Sequence, residues 1–185
     1  MRENMTDGID RIIEQWNRER PDLDVAPMAL IGRLGRLREV IYREQEKVFA
    51  TFGLNSAGFD VLATLRRHGA PYALSPGALM ESMMITSGTV TNRIDQLEKA
   101  GLVSREPNPE DRRSMIVALT PQGLTLINEA VAAHVENQHR LVAGLSPEER
   151  SAFNNLAQAF LDVVERPGHE EHYFTRSKSK AAQAQ

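Results

Sequence analysis

Between Thr86 and Pro121 the chain changes its periodicity twice, and this limits what it can become more than any other feature. The stretch reads TSGTVTNRIDQLEKAGLVSREPNPEDRRSMIVALTP. Ser87 to Ala100 predicts a helix, because Val90, Ile94 and Leu97 recur at spacings of four and three and form one apolar stripe. Ser87 is placed to cap its start, and Gly101 supplies the left-handed residue that stops it. The remaining face carries Ser87, Thr89, Thr91, Asn92, Arg93 and Gln96, groups that donate to phosphates and base edges. Leu102 to Pro107 follows, then a turn PNPEDRR, then Ser114 to Leu119. In that last segment Met115, Val117 and Leu119 alternate with Ser114, Ile116 and Ala118, the pattern of a β-strand. Two strands joined by a turn rich in Pro, Asn and Asp make a hairpin. A polar-faced helix followed directly by a hairpin with arginines at its tip is the layout of a winged helix. The helix suits a major groove, and Arg112 and Arg113 suit a minor groove or the phosphate backbone.

The same stretch resembles the wing signature of MarR-type regulators. That signature has a Gly-Leu-Val start, an Asp-Arg-Arg tip, and Val-x-Leu-Thr-x-x-Gly leading into the next helix. Here these are Gly101-Leu102-Val103, Asp111-Arg112-Arg113, and Val117, Leu119, Thr120 and Gly123. The combined motif is far more specific than a lone helix-turn-helix pattern, and the organisation below fits the family over nearly the whole chain.

Asp7 to Arg20 predicts an N-terminal arm helix with Ile9, Ile12, Ile13 and Trp16 on a narrow apolar face, ended by Pro21. Pro27 to Phe52 predicts a long helix, with Leu30, Leu34, Leu37, Ile41, Val48 and Phe52 at heptad-like positions interrupted by Gln45. Asn55 to Arg67 is the next helix, with Ser56 as a cap, Phe59, Leu62, Ala63 and Leu65 as core positions, and Asp60 set among them. GAPYALSP reads as a turn-rich connection. Ser75 then caps a short helix over 76–83, and Met84-Ile85-Thr86 is the tight turn before the recognition helix. After the wing, 121–143 predicts a second long helix with Leu124, Ile127, Val131 and Val135 at heptad spacing. A restart at Ser146-Pro147-Glu148-Glu149 leads into a final helix with Phe153, Leu156, Phe160, Val163 and Val164 on its apolar face.

The expected class is therefore mainly α: a winged helix-turn-helix with a two-stranded β-wing and long N- and C-terminal dimerisation helices. Residues 1–52 would form the arm and a dimerisation helix that also walls a pocket. Residues 53–120 would be the DNA-binding lobe, 121–166 the C-terminal dimerisation helices, and 167–185 a disordered polar tail.

Composition narrows the function. A net charge of −3 and a pI near 6.0 do not advertise a nucleic-acid binder, so acids would have to be turned away from the duplex by the fold. The absence of cysteine excludes disulfides and thiol redox sensing and makes a reducing cytoplasm the expected compartment. No apolar run reaches membrane length, and the first residues are too polar for a signal peptide. No Gly-rich phosphate loop, Gly-x-Ser-x-Gly or His-Glu-x-x-His occurs, so no enzyme, cofactor or metal site is expected. His169-Glu-Glu-His172 lies in the tail and reads as solvated, and His134 and His139 read as satisfied polar contacts near an interface.

The long helices carry more apolar surface than one small winged helix can cover, and a second copy is the simplest partner. Paired recognition helices would read a pseudo-palindromic operator in double-stranded DNA, as a repressor would. Ser87, Thr89, Thr91, Asn92, Arg93 and Gln96 would contact DNA, with Arg112 and Arg113 at the wing and Asp111 stiffening its tip. The family resemblance implies more. MarR-type proteins commonly release DNA when a small, often anionic aromatic molecule binds between dimer core and DNA-binding lobe. One subfamily answers to urate. It is marked by an added N-terminal helix bearing a tryptophan, an aspartate in the helix after the long one, an arginine in the recognition helix and an arginine in the first wing strand. Trp16, Asp60, Arg93 and Arg105 fill these positions here, which implies urate or a related purine as effector. A different phenolic or carboxylate ligand, or none, is the alternative. An α-helical interaction protein that never meets DNA is the rival from another class.

Overall fold

The computed structural model describes residues 7–83, 87–108 and 114–166, with backbone alone at 87–89. In order the elements are α1 (Gly8–Glu19), α2 (Ala26–Thr51), α3 (Ser56–Arg67), β1 (Ala73–Leu74), α4 (Pro76–Met83), α5 (Ser87–Lys99), β2 (Val103–Pro107), β3 (Met115–Leu119), α6 (Pro121–Val142) and α7 (Pro147–Val164). The mainly helical winged helix-turn-helix expected from the sequence is what forms. The chain divides into two compact units, one ending at Gln138 and the other starting at His139.

The core of the first unit is aliphatic and sits under the helix-turn-helix. Leu62 and Leu65 of α3, Leu79 of α4, Ile94 of α5, Val117 of β3 and Ile127 of α6 are all sealed from solvent. The stripe expected on the recognition helix is the one that packs: Val90, Ile94 and Leu97 are buried. Burying a leucine-sized side chain contributes about 1.5–3 kcal/mol, so these contacts hold α3, α4 and α5 as one body.

Local chemistry departs from the sequence reading in two places. The cap of α3 is Asn55, not Ser56: the Asn55 Oδ1 accepts from the Gly58 N–H at 2.8 Å. Ser56 is the first helical residue, and its N–H donates instead to Glu46 Oε1 of α2 at 2.7 Å. The connection GAPYALSP also holds a strand. β1 adds to the wing hairpin, with Ala73 opposite Ala118 and Leu74 opposite Val117, giving a three-stranded sheet in the order β1-β3-β2. Before it, Tyr72 has φ 60, and its carbonyl accepts from the Leu119 N–H at 3.1 Å. Two residues are too short a run to show alternation.

The hairpin pairs Val103 with Leu119 through to Pro107 with Met115. The Asn108 N–H then donates to the Ser114 carbonyl at 2.9 Å. Its tip, with Asp111, Arg112 and Arg113, lies outside the described residues.

At the root of the hairpin four residues lock together. The Thr120 hydroxyl donates to the Gly101 carbonyl at 2.8 Å and accepts from the Gly123 N–H at 3.0 Å, capping α6. The Thr120 N–H donates to the Leu102 carbonyl at 3.1 Å. Gly123 lies so close to β2's approach that a Cβ there would sit 1.9 Å from the Leu102 carbonyl oxygen.

Much of the apolar surface of the long helices stays uncovered. Phe49 is the one described α2 residue that is buried. Leu30, Leu37 and Ile41, three of the expected heptad positions, are 54, 44 and 40% exposed. In the second unit α7 starts with a Ser146–Glu149 capping box and buries no residue. No single helix among the described residues is long and apolar enough to cross a membrane.

The arm is attached by polar contacts. Asp7 caps α1 through the Ile9 and Asp10 N–H groups and also pairs with Arg33 of α2, as does Asp10. Ile9 rests on Gly32, where an added Cβ would lie 3.2 Å from its Cδ1.

Gly123→Ala is expected to destabilise the fold by about 3 kcal/mol, because backbone is what the new methyl would strike. Gly144→Ala, where an added Cβ meets nothing within 4 Å, should change the melting temperature little. Thermal denaturation of both variants checks this, and equal melting temperatures would contradict the packing argument.

Candidate nucleic-acid interface and ligand cleft

On α5 the polar positions divide into two sets. Thr91, Asn92 and Gln96 are exposed, while Arg93 is only half-exposed. The backbone of α5 also carries Ser87 and Thr89, whose side chains lie outside the described set. Exposed amide and hydroxyl groups on one helical face are what base edges and phosphates require.

The acids of this helix are taken out of play by one arginine. Arg105 of β2 donates through Nη2 to Asp95 and through Nη1 to Glu98, closing ion pairs with both. The pairing, with Asp95 first, holds the guanidinium above its ordinary range. Glu106, the neighbour on the strand, is occupied by the Ser104 hydroxyl at 2.9 Å. Charge is thus partly sorted: the acids of α5 pair with the wing strand, and Thr91, Asn92 and Gln96 are exposed and uncharged.

Asp60 lies on α3 at the mouth of a cleft of about 320 Å³ lined by Asp60, Ala63, Thr64, Arg67, Ser82 and Met83. The first four fall at i, i+3, i+4 and i+7 and share one face of α3. Although exposed at its edge, Asp60 loses enough hydration to push its carboxyl above the ordinary value of 3.8. Arg93 is the strongest charge acting the other way, followed by His134 and Arg67, while Glu46 adds to the rise. Asp60 on α3 and Arg93 on the recognition helix are therefore electrostatic partners. Arg67 reaches across the cleft and donates through Nη2 to the Ser82 carbonyl at 2.6 Å.

Behind Asp60 stands an aromatic stack. The rings of Phe49 and Phe59 lie 4.1 Å apart, and His134 of α6 packs 5.3 Å from the first and 5.0 Å from the second. Burial pushes the His134 imidazole below its ordinary value, against a weaker pull from Asp60. His134 Nε2 lies 2.8 Å from Gln138 Nε2, and its Nδ1 is buried without a hydrogen-bond partner among the described residues.

Of the four ligand residues expected from the sequence, Asp60 lines the cleft, Arg93 is coupled to it by charge, and the other two stand elsewhere. Trp16 is 42% exposed on α1, which packs against α2. Arg105 is committed to Asp95 and Glu98. Neither lines the cleft, and Arg93 acts on it through charge. The sequence reading does not single out Arg67, although its place seven residues after Asp60 puts both on one helical face. Among the described residues no group of three His, Cys, Asp or Glu is placed to hold a metal ion, and the His169–His172 pair lies outside them.

Similarity to known proteins fits this geometry. Residues 54–115 match the model of the MarR family. The HTH-type transcriptional regulator PecS of Dickeya dadantii is 47% identical over 148 residues, covering 80% of this chain and 89% of that protein. A mutant Escherichia coli MarR complexed with operator DNA superposes with a TM-score of 0.63 at 23% identity, covering 79% of this chain and 97% of that one, a likeness of fold. Bordetella bronchiseptica BpsR, in a structure concerned with regulation of its DNA binding by 6-hydroxynicotinic acid, superposes with a TM-score of 0.57 at 30% identity. It covers 69% of this chain and 92% of that one.

The raised carboxyl of Asp60 has a defined consequence for stability. Its contribution is fully present below the ordinary value of 3.8 and is lost as pH rises through the shifted one. Asp60→Asn removes that loss. The variant is expected to melt above the wild type near pH 7, with the gap narrowing on acidification. Melting curves across pH check this, and a variant that melts lower near neutrality would contradict it.

Proposed function

The chain belongs to the MarR family, and from that premise we propose that it acts as a dimeric repressor on a pseudo-palindromic operator and leaves it when a small planar anion binds. Its class is that of a DNA-binding transcriptional regulator with a winged helix-turn-helix, not an enzyme. The dimer, the operator symmetry and the effector are our reading.

The uncovered apolar positions of α2 and α7 support the dimer. Leu30 and Leu37 on the first and Phe153 and Leu156 on the second are large, apolar and 44–70% exposed, and a two-fold partner is the simplest way to bury them. On that reading 1–52 and 121–166 join the protomers and 53–120 reads DNA. Two recognition helices would then stand about 34 Å apart, one turn of duplex. Thr91, Asn92 and Gln96 would contact base edges and phosphates, Ser87 and Thr89 would approach at the start of the helix, and Arg112 and Arg113 would hold the backbone or minor groove. Asp111 would pair with one of these arginines.

The place of Asp60 in the cleft, within the electrostatic reach of Arg93, is the observation that carries the ligand reading. It joins α3 to the recognition helix through charge, so an anion placed beside it acts on both. A planar purine anion would draw Arg93 into charge-assisted hydrogen bonds and repel Asp60, favouring a different seat for α5. Trp16 would supply a stacking surface from the arm. Arg105 would meet the ligand with its charge already shared between Asp95 and Glu98. Urate, or a related purine, is the effector this set fits. The 30% identity to BpsR favours a second reading, a heteroaromatic carboxylate in the same place.

Two measurements test these roles. Replacing Arg112 and Arg113 by alanine should weaken operator binding across sequences and flatten its salt dependence by about one unit of slope for each phosphate no longer neutralised. An unchanged slope in fluorescence-anisotropy titrations would remove the wing from the interface. Urate should raise the melting temperature and release operator DNA, with 6-hydroxynicotinate and a neutral purine as comparisons. Trp16→Phe and Asp60→Asn should blunt release while sparing DNA binding. Full release in both variants would place the effector elsewhere.

A further inference from the structure

Arg67 couples the cleft to the reading head by a bond that the ligand reading does not use. The last carbonyls of any helix lack intrahelical donors. In α4 the Arg67 Nη2 supplies one to Ser82, at 2.6 Å. The same atom lies 3.4 Å from the hydroxyl of Thr64, a buried side chain on α3. The guanidinium is thereby aimed from α3 across the cleft at the end of α4, a few residues before α5 in the chain. Arg67 also shares a face of α3 with Asp60 and lines the same cleft, whose volume lies at the lower end of the range of about 300–1,000 Å³ for small-molecule sites. A guanidinium presents several coplanar donors and prefers a planar anion to a single carbonyl.

We propose that Arg67 is a positioning residue that holds α4 in its DNA-reading place and lets go of the Ser82 carbonyl when an anion enters the cleft. The proposal rests on the ligand reading above and adds the bond through which the anion acts. Differential affinity is built in: an anion that takes the guanidinium binds the released state better, so it shifts the population toward it.

Two variants separate the roles. Arg67→Gln shortens the side chain and removes the cation, so both the tether and the anion receptor are lost. Arg67→Lys keeps one donor for Ser82 and loses the planar fork. Operator affinity without effector is expected to fall about fivefold in Arg67→Gln, the scale of one ordinary intramolecular hydrogen bond. It should stay within about twofold of wild type in Arg67→Lys. In urate titrations of the operator complex, Arg67→Lys should need about fivefold more urate for half-release, and Arg67→Gln should show almost no further release. Melting temperatures near that of wild type in both variants would tie these effects to positioning and not to lost folding. An Arg67→Gln protein that binds operator as wild type does overturns the tether. Variants that release at the wild-type urate midpoint overturn the coupling while leaving the ligand reading intact. A wild type that ignores urate, with Arg67→Gln still weak on operator, sinks the ligand reading and the coupling together.

Discussion

The wing and the long helix after it depend on one close approach, that of Gly123 to the carbonyl of Leu102. Nothing larger than a hydrogen fits there. Around it Thr120 closes the circuit by donating to Gly101 and capping α6 through Gly123. Gly101, in the left-handed region at φ 72, follows the end of α5, and Thr120 follows the last residue of β3. The junction therefore fixes the relative pose of α5, β2, β3 and the start of α6 in a few residues. Gly101, Leu102, Thr120 and Gly123, which belong to the two motif runs, are the residues that build this geometry.

Charge is organised with the same economy. A net-acidic chain presents a helix to a polyanion, which averaged electrostatics would oppose. Arg105 meets this by neutralising Asp95 and Glu98 from the strand side, in ion pairs less exposed than a free surface pair. Exposed ion pairs contribute about 0–1 kcal/mol to folding. The value of this one lies in offsetting part of the negative charge that Asp95 and Glu98 bring near the outward face. Stability and recognition are served here by different groups: buried aliphatic side chains fix where α5 sits, and polar ones decide what it presents.

Elements with strong periodicity are legible in the sequence, and pairwise partners are not. The apolar stripe of α5, the alternation of β3 and the start signals of α4 and α7 each rest on a local pattern. So does the uncovered heptad face of α2, since excess apolar area can be counted without knowing the fold. β1 is too short to carry a pattern, and the choice of Asn55 over Ser56 as cap is settled by Glu46, which comes from another helix to take the Ser56 N–H. Asp60 is legible as a carboxylate out of place among core positions, but its partner on α5 becomes visible as an electrostatic neighbour only in three dimensions. Arg67 is open to discovery, because its spacing from Asp60 is helical. His134 is not: its packing against the stacked Phe49 and Phe59 brings together residues from three helices.

The arm shows how attachment and burial come apart. α1 buries none of its own residues, and its capping box doubles as the acceptor for Arg33. An element held by screened charges and one isoleucine resting on a glycine adds little to the cohesion of the core. Little apolar surface would be laid bare if it came away, so screening of the Arg33 ion pairs by salt is expected to loosen the seat of Trp16 before the core melts.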